Sequence, residues 1–294
     1  MNQYLIFRTD RIGDFLLSAI LIKSIKRNDP NAFIKVVASE SNFDYIKTFK
    51  IIDEVLLFKR GFLNIFQLIN KLKKNKYHSI ILHDSKNRSN FISFFLKSKN
   101  KIFSDTQSSY FLDIKKILNL LNFKFDDNDL NILENRSHKK IDLPQKFILL
   151  HFDEKWIHSE YILKYSDIEP DKNQLLSFLN TIVNKTNKSI IITTGLKTPK
   201  ILIKLFETNL NPSISLFEDQ DFADLENIIN KSDLLISCHG AVSHVASANN
   251  IIQIDIIEES QIAFYKKWTH HFRNYNYIFR KNFEDLSKDI YKLL

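Results

Sequence analysis

Arg8-Thr9-Asp10-Arg11-Ile12-Gly13-Asp14 is the stretch that decides the fold of this chain. An apolar run at residues 4–7 precedes it, and apolar residues at helical spacing follow it, so the order is strand, tight turn, helix. Gly13 permits close approach of a backbone or ligand, and Asp14 falls in the first helical turn, where the helix dipole favours a carboxylate. Taken alone, Asp14 is best interpreted as a helix cap, but any chemistry of this unit belongs in the turn.

Length and composition indicate a two-domain soluble protein. The chain has 294 residues, enough for two cores, with 44% hydrophobic and 26% charged residues. A single cysteine, Cys238, excludes an intramolecular disulfide framework and fits a reducing compartment. No apolar run approaches the ~18 residues that span a bilayer, and the sequence carries no signal-peptide pattern. We therefore expect a cytoplasmic protein.

Positive charge is concentrated in the N-terminal half. Residues 1–145 carry 25 Lys and Arg against 15 Asp and Glu, a net charge of +10, whereas residues 146–294 carry 17 against 19, a net charge of −2. A basic half indicates a surface for an anionic partner, such as a phosphorylated glycan, lipid headgroups or nucleic acid, unless it is only a solvated lysine-rich face. No zinc finger, paired-aromatic RNA-binding sheet or basic zipper pattern favours nucleic acid.

Short apolar runs alternate with helical patterns through the first half. The runs are continuous rather than alternating, which is typical of parallel strands that are buried on both faces. We predict strands at residues 4–7, 33–38, 55–58, 79–83 and 101–103, and helices at 14–27, 41–49, 62–75, 89–96 and 108–122.

A polar stretch at residues 125–145 contains Pro144 and lacks a sustained apolar period, so we predict a linker between a domain of residues 1–140 and one of residues 146–294. The second half then repeats the pattern. We predict strands at 147–151, 189–193, 214–216, 234–238 and 251–257, and helices at 172–186, 199–208, 221–230, 243–248 and 282–294. The prediction is an α/β protein with two doubly wound Rossmann-like domains facing a central cleft.

The loops that follow the predicted strands hold the informative polar residues, and ligands of doubly wound sheets bind beyond these carboxyl ends. The loop at residues 237–244 is a small-residue turn that leads into a helix and presents free N–H groups to an anion. Neither a dinucleotide fingerprint, a P-loop nor a nucleophile elbow is present. A metal site is not expected, because His239 and His244 have an unsuitable spacing on one helix and lack a second cysteine pair.

The motifs resemble those of one enzyme family. The stretch 8–14, followed by a helix and Asp29-Pro30-Asn31-Ala32, resembles the start of the heptosyltransferase-like glycosyltransferases, the family of lipopolysaccharide core heptosyltransferases (glycosyltransferase family 9). Ile52-Asp53-Glu54-Val55 and residues 77–89 resemble two further landmarks of that family. Residues 223–237 and the turn ending Ser243-His244-Val245-Ala246 resemble its donor-site motif. The resemblance covers nearly the whole chain.

The resemblance implies a GT-B fold that binds the acceptor in the N-terminal domain and a nucleotide sugar in the C-terminal domain. It implies an inverting glycosyltransferase that moves a heptose or other hexose from a nucleotide-diphosphate sugar to a lipopolysaccharide or surface-glycan acceptor, which is anionic or lipid-linked. Asp14 matches the family's base, and Lys155 matches a lysine directed at the donor phosphates. The resemblance further places donor binding at His239, Gly240, Ser243 and His244, and acceptor binding at Arg11, Gly13 and Arg88. Peripheral association with the inner membrane is expected, and a metal, another cofactor and a nucleic-acid partner are not.

Departures from the family pattern leave the donor sugar open. The family's usual turn is Asn-Asp-Thr-Gly-Pro-Met-His, whereas this chain has residues 237–244, so Cys238 or His239 replaces the aspartate that contacts the sugar. Phe152 and Asp153 replace small hydroxyl residues, and an acidic group near a diphosphate is unfavourable unless it points away or pairs with Lys155. Three alternatives follow: a different hexose or deoxysugar donor, a nucleotide-sugar-binding protein that has lost transfer activity, or a basic protein that binds nucleic acid or a membrane surface.

Overall fold

Two compact units make up the chain, each built on a parallel sheet. The computed structural model describes residues 1–105, 109–133, 140–208 and 210–294. One unit comprises Met1–Ile132 with Lys266–His271, and the other comprises Leu133–Tyr265 with Phe272–Leu294. The predicted α/β class with two doubly wound parallel sheets is confirmed.

The first unit has five parallel strands in the order β3-β2-β1-β4-β5. The strands are β1 (Gln3–Arg8), β2 (Phe33–Ser39), β3 (Glu54–Phe58), β4 (Lys76–Leu82) and β5 (Lys97–Phe103). The helices are α1 (Ile12–Asn28), α2 (Phe43–Lys47), α3 (Phe62–Leu72), α4 (Asn87–Phe94) and α5 (Tyr110–Leu120). Strand order reverses at β1, so the topological switch point lies where β1 leads into α1.

Apolar continuity explains why β1 is the central strand of this sheet. Its residues from Tyr4 to Phe7 are fully buried, and they pair with β2 on one side and β4 on the other. Helix α1 buries Phe15, Leu16 and neighbouring apolar residues against the sheet, while Asp14 caps it by accepting a hydrogen bond from the Arg11 N–H at 2.9 Å. The opening stretch is thus held by its flanking elements.

The second unit has six parallel strands in the order β11-β10-β9-β6-β7-β8. The strands are β6 (Phe147–Phe152), β7 (Ser189–Thr194), β8 (Ile214–Phe217), β9 (Leu234–Cys238), β10 (Ile252–Ile257) and β11 (Tyr275–Phe279). The helices that begin in this unit are α6 (His158–Tyr161), α7 (Lys172–Thr186), α8 (Lys200–Phe206), α9 (Phe222–Lys231), α10 (Ala241–Ala248), α11 (Ile262–Thr269) and α12 (Phe283–Leu293). The switch point lies between β6 and β9.

Three elements that begin in the second unit, α6, α11 and β11, have no counterpart in the sequence prediction. Strand β11 is an edge strand with three half-buried residues and two exposed ones, so it lacks the continuous apolar run that identifies the inner strands. It forms because its backbone pairs with β10 from Gln253↔Tyr275 to Ile257↔Phe279. Pairing with a neighbour, rather than composition, decides this strand.

Part of the stretch predicted as a linker packs against the first unit. The Asp129 carboxylate is fully buried and accepts hydrogen bonds from Ser24 Oγ at 2.6 Å and Arg27 Nε at 3.0 Å. Leu130, Ile132 and Leu133 are also buried. Residues 129–133 of the predicted linker are therefore mostly buried, whereas residues 126–128 are exposed, and residues 134–139 of the prediction lie outside the described residues.

Residues 266–271 differ from the predicted bounds of the second domain, because contacts group them with the first unit. Trp268 packs on Tyr110 with ring centroids 3.9 Å apart, and His271 stacks on Phe111 at 5.4 Å. Aromatic packing across more than a hundred residues of sequence is invisible to local patterns.

Candidate functional site

A polar cavity of about 500 Å³ lies in the first unit, beyond the carboxyl ends of its strands. The loops after β1, β2 and β4 and the end of β3 supply its lining: Thr9, Asp10, Arg11, Asp14, Ser39, Glu40, Ser41, Phe58, Arg60, Lys86 and Arg88. Four of these residues are cationic and three are acidic, so the cavity suits a polar ligand that carries negative charge.

Asp14 lines this cavity as the third residue of α1. Burial raises its pKa above the ordinary 3.8, although Arg8 acts in the opposite direction. A carboxylate with a raised pKa is a stronger base than a solvated one, and its pKa lies closer to neutral pH. A helix dipole by itself would lower the pKa of Asp14, but burial outweighs this effect and that of the nearby arginines.

A buried hydrogen-bonded chain lies beside Asp14. Arg8 is 2% exposed and donates through Nε to Ser18 Oγ at 2.7 Å, and this hydroxyl lies 2.7 Å from His83 Nδ1. Burial first, and then Arg8, hold the pKa of His83 well below 6.5, so the imidazole is neutral at pH 7. The second amino group of Arg8 and the Nε2 of His83 find no hydrogen-bond partner among the described residues. This series of hydrogen bonds was not predicted, because Arg8 and His83 are 75 residues apart in sequence.

Arg88 contacts the opening stretch directly. Its guanidinium donates to Thr9 O at 3.0 Å and Thr9 Oγ1 at 2.9 Å, and it lies 5.0 Å from the centre of the Phe58 ring. Thr9 Oγ1 donates onward to Asp84 at 2.6 Å. Lys86 is paired with Asp10. Arg88 thus braces the turn after β1 as well as lining the cavity.

Of the predicted acceptor residues, Arg11 and Arg88 line the cavity with Asp14, and Gly13 does not. Gly13 is buried in the first turn of α1. Arg60 is an exposed lining cation that the sequence analysis missed. Its signal was its place directly after a predicted strand.

Lys155 and Gly240 meet in the second unit. Lys155 lies in the loop after β6, and its Nζ is 2.5 Å from Asp153 Oδ2. A Cβ atom at Gly240 would lie only 2.7 Å from that Nζ, so the glycine leaves room for the ammonium beside the first residues of α10. Burial would lower the pKa of Lys155, but Asp153 outweighs it and holds the pKa above its usual value. Burial likewise opposes ionisation of Asp153, yet Lys155 and His151 hold its pKa below 3.8.

Asp255, fully buried on β10, organises the turn before α10. Its two carboxylate oxygens contact His239 Nδ1 at 2.5 Å and Ser243 Oγ at 2.7 Å, and the Tyr275 hydroxyl donates to it at 3.2 Å. Because Asp255 accepts the Nδ1 proton of His239, the other ring nitrogen, Nε2, is left for a ligand; it has no partner in the part of the chain that the structure describes. The missed signal was an aspartate in the buried part of the largely apolar strand β10.

His244 packs rather than projects. It is buried, and its ring meets those of His239 at 5.7 Å and Phe272 at 5.0 Å, both nearly edge-on. Cys238 is also buried, and burial raises its pKa to about 12, so it stays a thiol. Arg280 donates to Lys155 O at 2.7 Å and to Cys238 Sγ at 3.1 Å, which ties the loop after β6 to the turn after β9.

No group of three or more His, Cys, Asp or Glu side chains able to hold a metal ion occurs among residues 1–105, 109–133, 140–208 and 210–294. Within the same ranges, none of the helices has the length and apolarity that a membrane crossing requires.

Comparison with known proteins gives fold relatives only. No family profile and no curated protein matches the sequence. Among solved structures, the E. coli heptosyltransferase WaaC with ADP superposes with a TM-score of 0.71 at 10% identity, covering 99% of this chain and 100% of that one. A glycosyl transferase family 9 protein from Veillonella parvula gives 0.67 at 13% identity, covering 100% and 90%.

The likeness extends to a second class of enzyme. A UDP-N-acetylglucosamine 2-epimerase from Methanocaldococcus jannaschii superposes with a TM-score of 0.62 at 13% identity, covering 99% of this chain and 92% of that one. The fold alone therefore does not separate sugar transfer from epimerisation. What the structure establishes is that this chain has the GT-B-like fold of the heptosyltransferase-like glycosyltransferases.

Proposed function

We propose that this protein is an inverting glycosyltransferase that moves a sugar, a heptose or another hexose, from a nucleotide-diphosphate sugar to a lipopolysaccharide or surface-glycan acceptor. The observation that carries the proposal is Asp14, a carboxylate whose pKa is raised by burial and which lines a cavity with Arg11, Arg60 and Arg88. A base beside cations suits the activation of a hydroxyl group on an anionic acceptor.

In this proposal the nucleotide-sugar donor binds to the second unit. Lys155 Nζ beside Gly240 offers a cation at the start of α10, where the helix presents free N–H groups. A departing diphosphate gains negative charge, and this pairing of cation and N–H donors would stabilise it. In this proposal Lys155 and the helix, rather than a metal ion, neutralise the leaving group. The fold relatives include heptosyltransferase structures with ADP and with ADP-2-deoxy-2-fluoro heptose, which supports a nucleotide-sugar donor.

The transfer step is a single displacement. Asp14 takes the proton of the acceptor hydroxyl as the hydroxyl oxygen attacks the anomeric carbon. The bond between that carbon and the diphosphate oxygen breaks, the configuration at the carbon inverts, and the nucleoside diphosphate leaves with the electron pair. Asp14 then releases its proton to solvent.

The acceptor is proposed to be an anionic glycan, lipid-linked at the inner face of the cytoplasmic membrane. Support comes from the net charge of +10 on residues 1–145 and from the cations that line the cavity.

A binding protein without transfer activity is the second candidate. The observation that favours it is the 2.5 Å ion pair between Lys155 and Asp153, because the lysine charge is already neutralised before a diphosphate arrives. In an active enzyme the donor diphosphate would compete with Asp153 for that lysine.

A nucleotide panel followed by a transfer assay tests both candidates. Nucleoside diphosphates and nucleotide sugars of each base are screened for an increase in Tm, and the stabilising nucleotide sugar is then incubated with lipopolysaccharide-type acceptors. Release of nucleoside diphosphate that depends on the acceptor, and that Asp14→Asn abolishes, supports transfer. Binding without release supports the second candidate. Release of a free, epimerised sugar nucleotide, or no response to any nucleotide, would contradict the proposed function.

A further inference from the structure

Six large apolar side chains are exposed on two helices of the first unit: Phe62, Leu63 and Phe66 on α3, and Phe91, Phe94 and Phe95 on or directly after α4. Leu63 is 77% exposed and Phe94 is 79% exposed. Within each helix these aromatic rings contact one another, with centroids 4.6 Å apart for Phe62 and Phe66 and 5.2 Å for Phe91 and Phe95. Clustered exposed apolar groups, unlike single ones, mark an interaction surface.

The two helices cover the same face of the sheet. Ile69 of α3 and Ile92 of α4 belong to one buried cluster, together with the β4 residues Ile80 and Leu82. The connections from β3 to β4 and from β4 to β5 run in the same direction along the sheet, so right-handed crossovers place both helices on one side. The exposed six lie on the two helices that cover this one face of the sheet, and together they are here called the α3–α4 face.

The segment that carries this face is strongly basic. Residues 59–104, which run from the end of β3 to the end of β5, contain eleven Lys and Arg and one acidic residue, Asp84. That carboxylate is only 8% exposed and is occupied by hydrogen bonds from Thr9 and Ser89. The net charge of this segment, +10, equals that of the whole N-terminal half.

We propose that the α3–α4 face docks the protein on an anionic lipid bilayer. Phenylalanine and leucine side chains enter the boundary between headgroups and acyl chains, while exposed lysines of the same segment bind anionic headgroups. Nine of the eleven cations are lysines, compact charges that suit diffuse headgroup binding, whereas planar, bidentate recognition of bases and phosphates favours arginine. A bilayer accounts for the apolar and the basic residues together.

The face borders the cavity that holds Asp14. Phe58 and Arg60 line the cavity, and α3 begins two residues later at Phe62. A membrane under the α3–α4 face would therefore bring a lipid-linked glycan near the cavity. This last step rests on the proposed function, but docking on the bilayer does not.

Vesicle binding by the full chain, without nucleotide or acceptor, tests the inference. Vesicles are phosphatidylcholine with or without phosphatidylglycerol. The apolar variant is Leu63→Ser/Phe94→Ser, matched by Leu163→Ser/Leu196→Ser in the second unit, where the two leucines are 82% and 101% exposed. The charge variant is Lys73→Glu/Lys74→Glu, matched by Lys197→Glu/Lys231→Glu.

The expected result is binding to anionic vesicles that weakens with salt and falls about tenfold in each α3–α4 variant, with the matched controls unchanged. Equal loss in variants and controls, binding indifferent to phosphatidylglycerol, or binding to a single-stranded RNA oligonucleotide in preference to vesicles would overturn it. The nucleotide-induced rise in Tm is measured on the same variants. If no nucleotide raises the Tm while vesicle binding is intact, the proposed function is contradicted and the docking surface is still supported.

Discussion

The Lys155 ammonium occupies the space that a side chain at Gly240 would need: a Cβ atom there would lie 2.7 Å from Nζ. The backbone φ of Gly240, −176°, is open to any residue, so the close approach, not the backbone, requires glycine here. One residue at the end of the β9 loop therefore decides whether the cation after β6 can lie against α10.

Gly240→Ala should displace Lys155 and weaken nucleoside diphosphate binding by about tenfold, because a charge-assisted contact is lost. The flexible Lys155 side chain can move aside, so the Tm should change little. Titration calorimetry measures the affinity. Gly195→Ala is the control for crowding of the same loop, since its methyl group would press on Glu154 and lie 3.3 Å from Asp153 Cβ without meeting Lys155; an equal effect of both changes would count against Lys155 as the diphosphate contact.

The rate of transfer should rise with pH along an acid limb whose midpoint lies above 3.8. Burial raises the pKa of Asp14, and only the ionised carboxylate can accept the hydroxyl proton. Asp14→Asn should abolish transfer, yet it retains an oxygen that can accept the Arg11 N–H and so keep α1 capped. The pH profile of kcat/KM and the Tm of the variant check both points. Loss of nucleotide binding together with transfer would make Asp14 structural.

His239→Asn should alter the preference among donor sugars. The affinity for the nucleoside diphosphate should stay within about twofold of the unchanged protein's. The physical reason is that Asp255 fixes Nδ1 of His239 and leaves Nε2 for a sugar hydroxyl. Asp255→Asn should shift the same preference by releasing the ring. Competition between a nucleotide sugar and its nucleoside diphosphate gives the ratio of the two affinities. A parallel loss of both affinities would contradict a sugar contact.

Acidification should destabilise the folded protein through His151. Burial lowers its pKa from 6.5 to about 4, and its Nδ1 lies 3.0 Å from Thr193 Oγ1. Between these two pH values the unfolded chain binds the proton and the folded one does not, so stability is full above pH 6.5 and is lost towards pH 4. The contribution is about 3 kcal/mol over the interval. Urea unfolding is measured from pH 6.5 to pH 4 for both proteins. The free energy of unfolding should fall less steeply with decreasing pH in His151→Asn. His83, which is present in both proteins, contributes equally to the two curves.

Asp129→Asn should lower the free energy of unfolding by about 1–3 kcal/mol, because a buried, charge-assisted set of hydrogen bonds is disrupted. Asp129 is fully buried and bonded to Ser24 and Arg27. The exposed Asp127 provides the control, and Asp127→Asn should change stability by no more than about 0.5 kcal/mol. Matching losses in the two variants would mean that Asp129 behaves like the exposed Asp127 and that residues 129–133 are a solvated linker.

Local pattern predicted most of the inner strands because they are mainly apolar, as in β1 and β6, each of which contains four consecutive apolar residues. It did not predict β11 or the first half of β5. Lys97 to Asn100 are polar, and β5 is an edge strand that pairs with β4 alone. Edge strands are specified by a neighbour's free hydrogen-bonding groups, which lie far away in sequence.

The candidate site divides in the same way. The sequence by itself determined the strand, turn and helix from Arg8 to Asp14, the small-residue turn before α10 and the excess of positive charge in residues 59–104, because each is a local pattern of residue types. Only the tertiary structure decided that Asp14 has a raised pKa, that Arg8, Ser18 and His83 form one buried chain, and that Asp255 holds His239 and Ser243. These properties depend on burial and on distances between residues separated in sequence, which chain order does not contain.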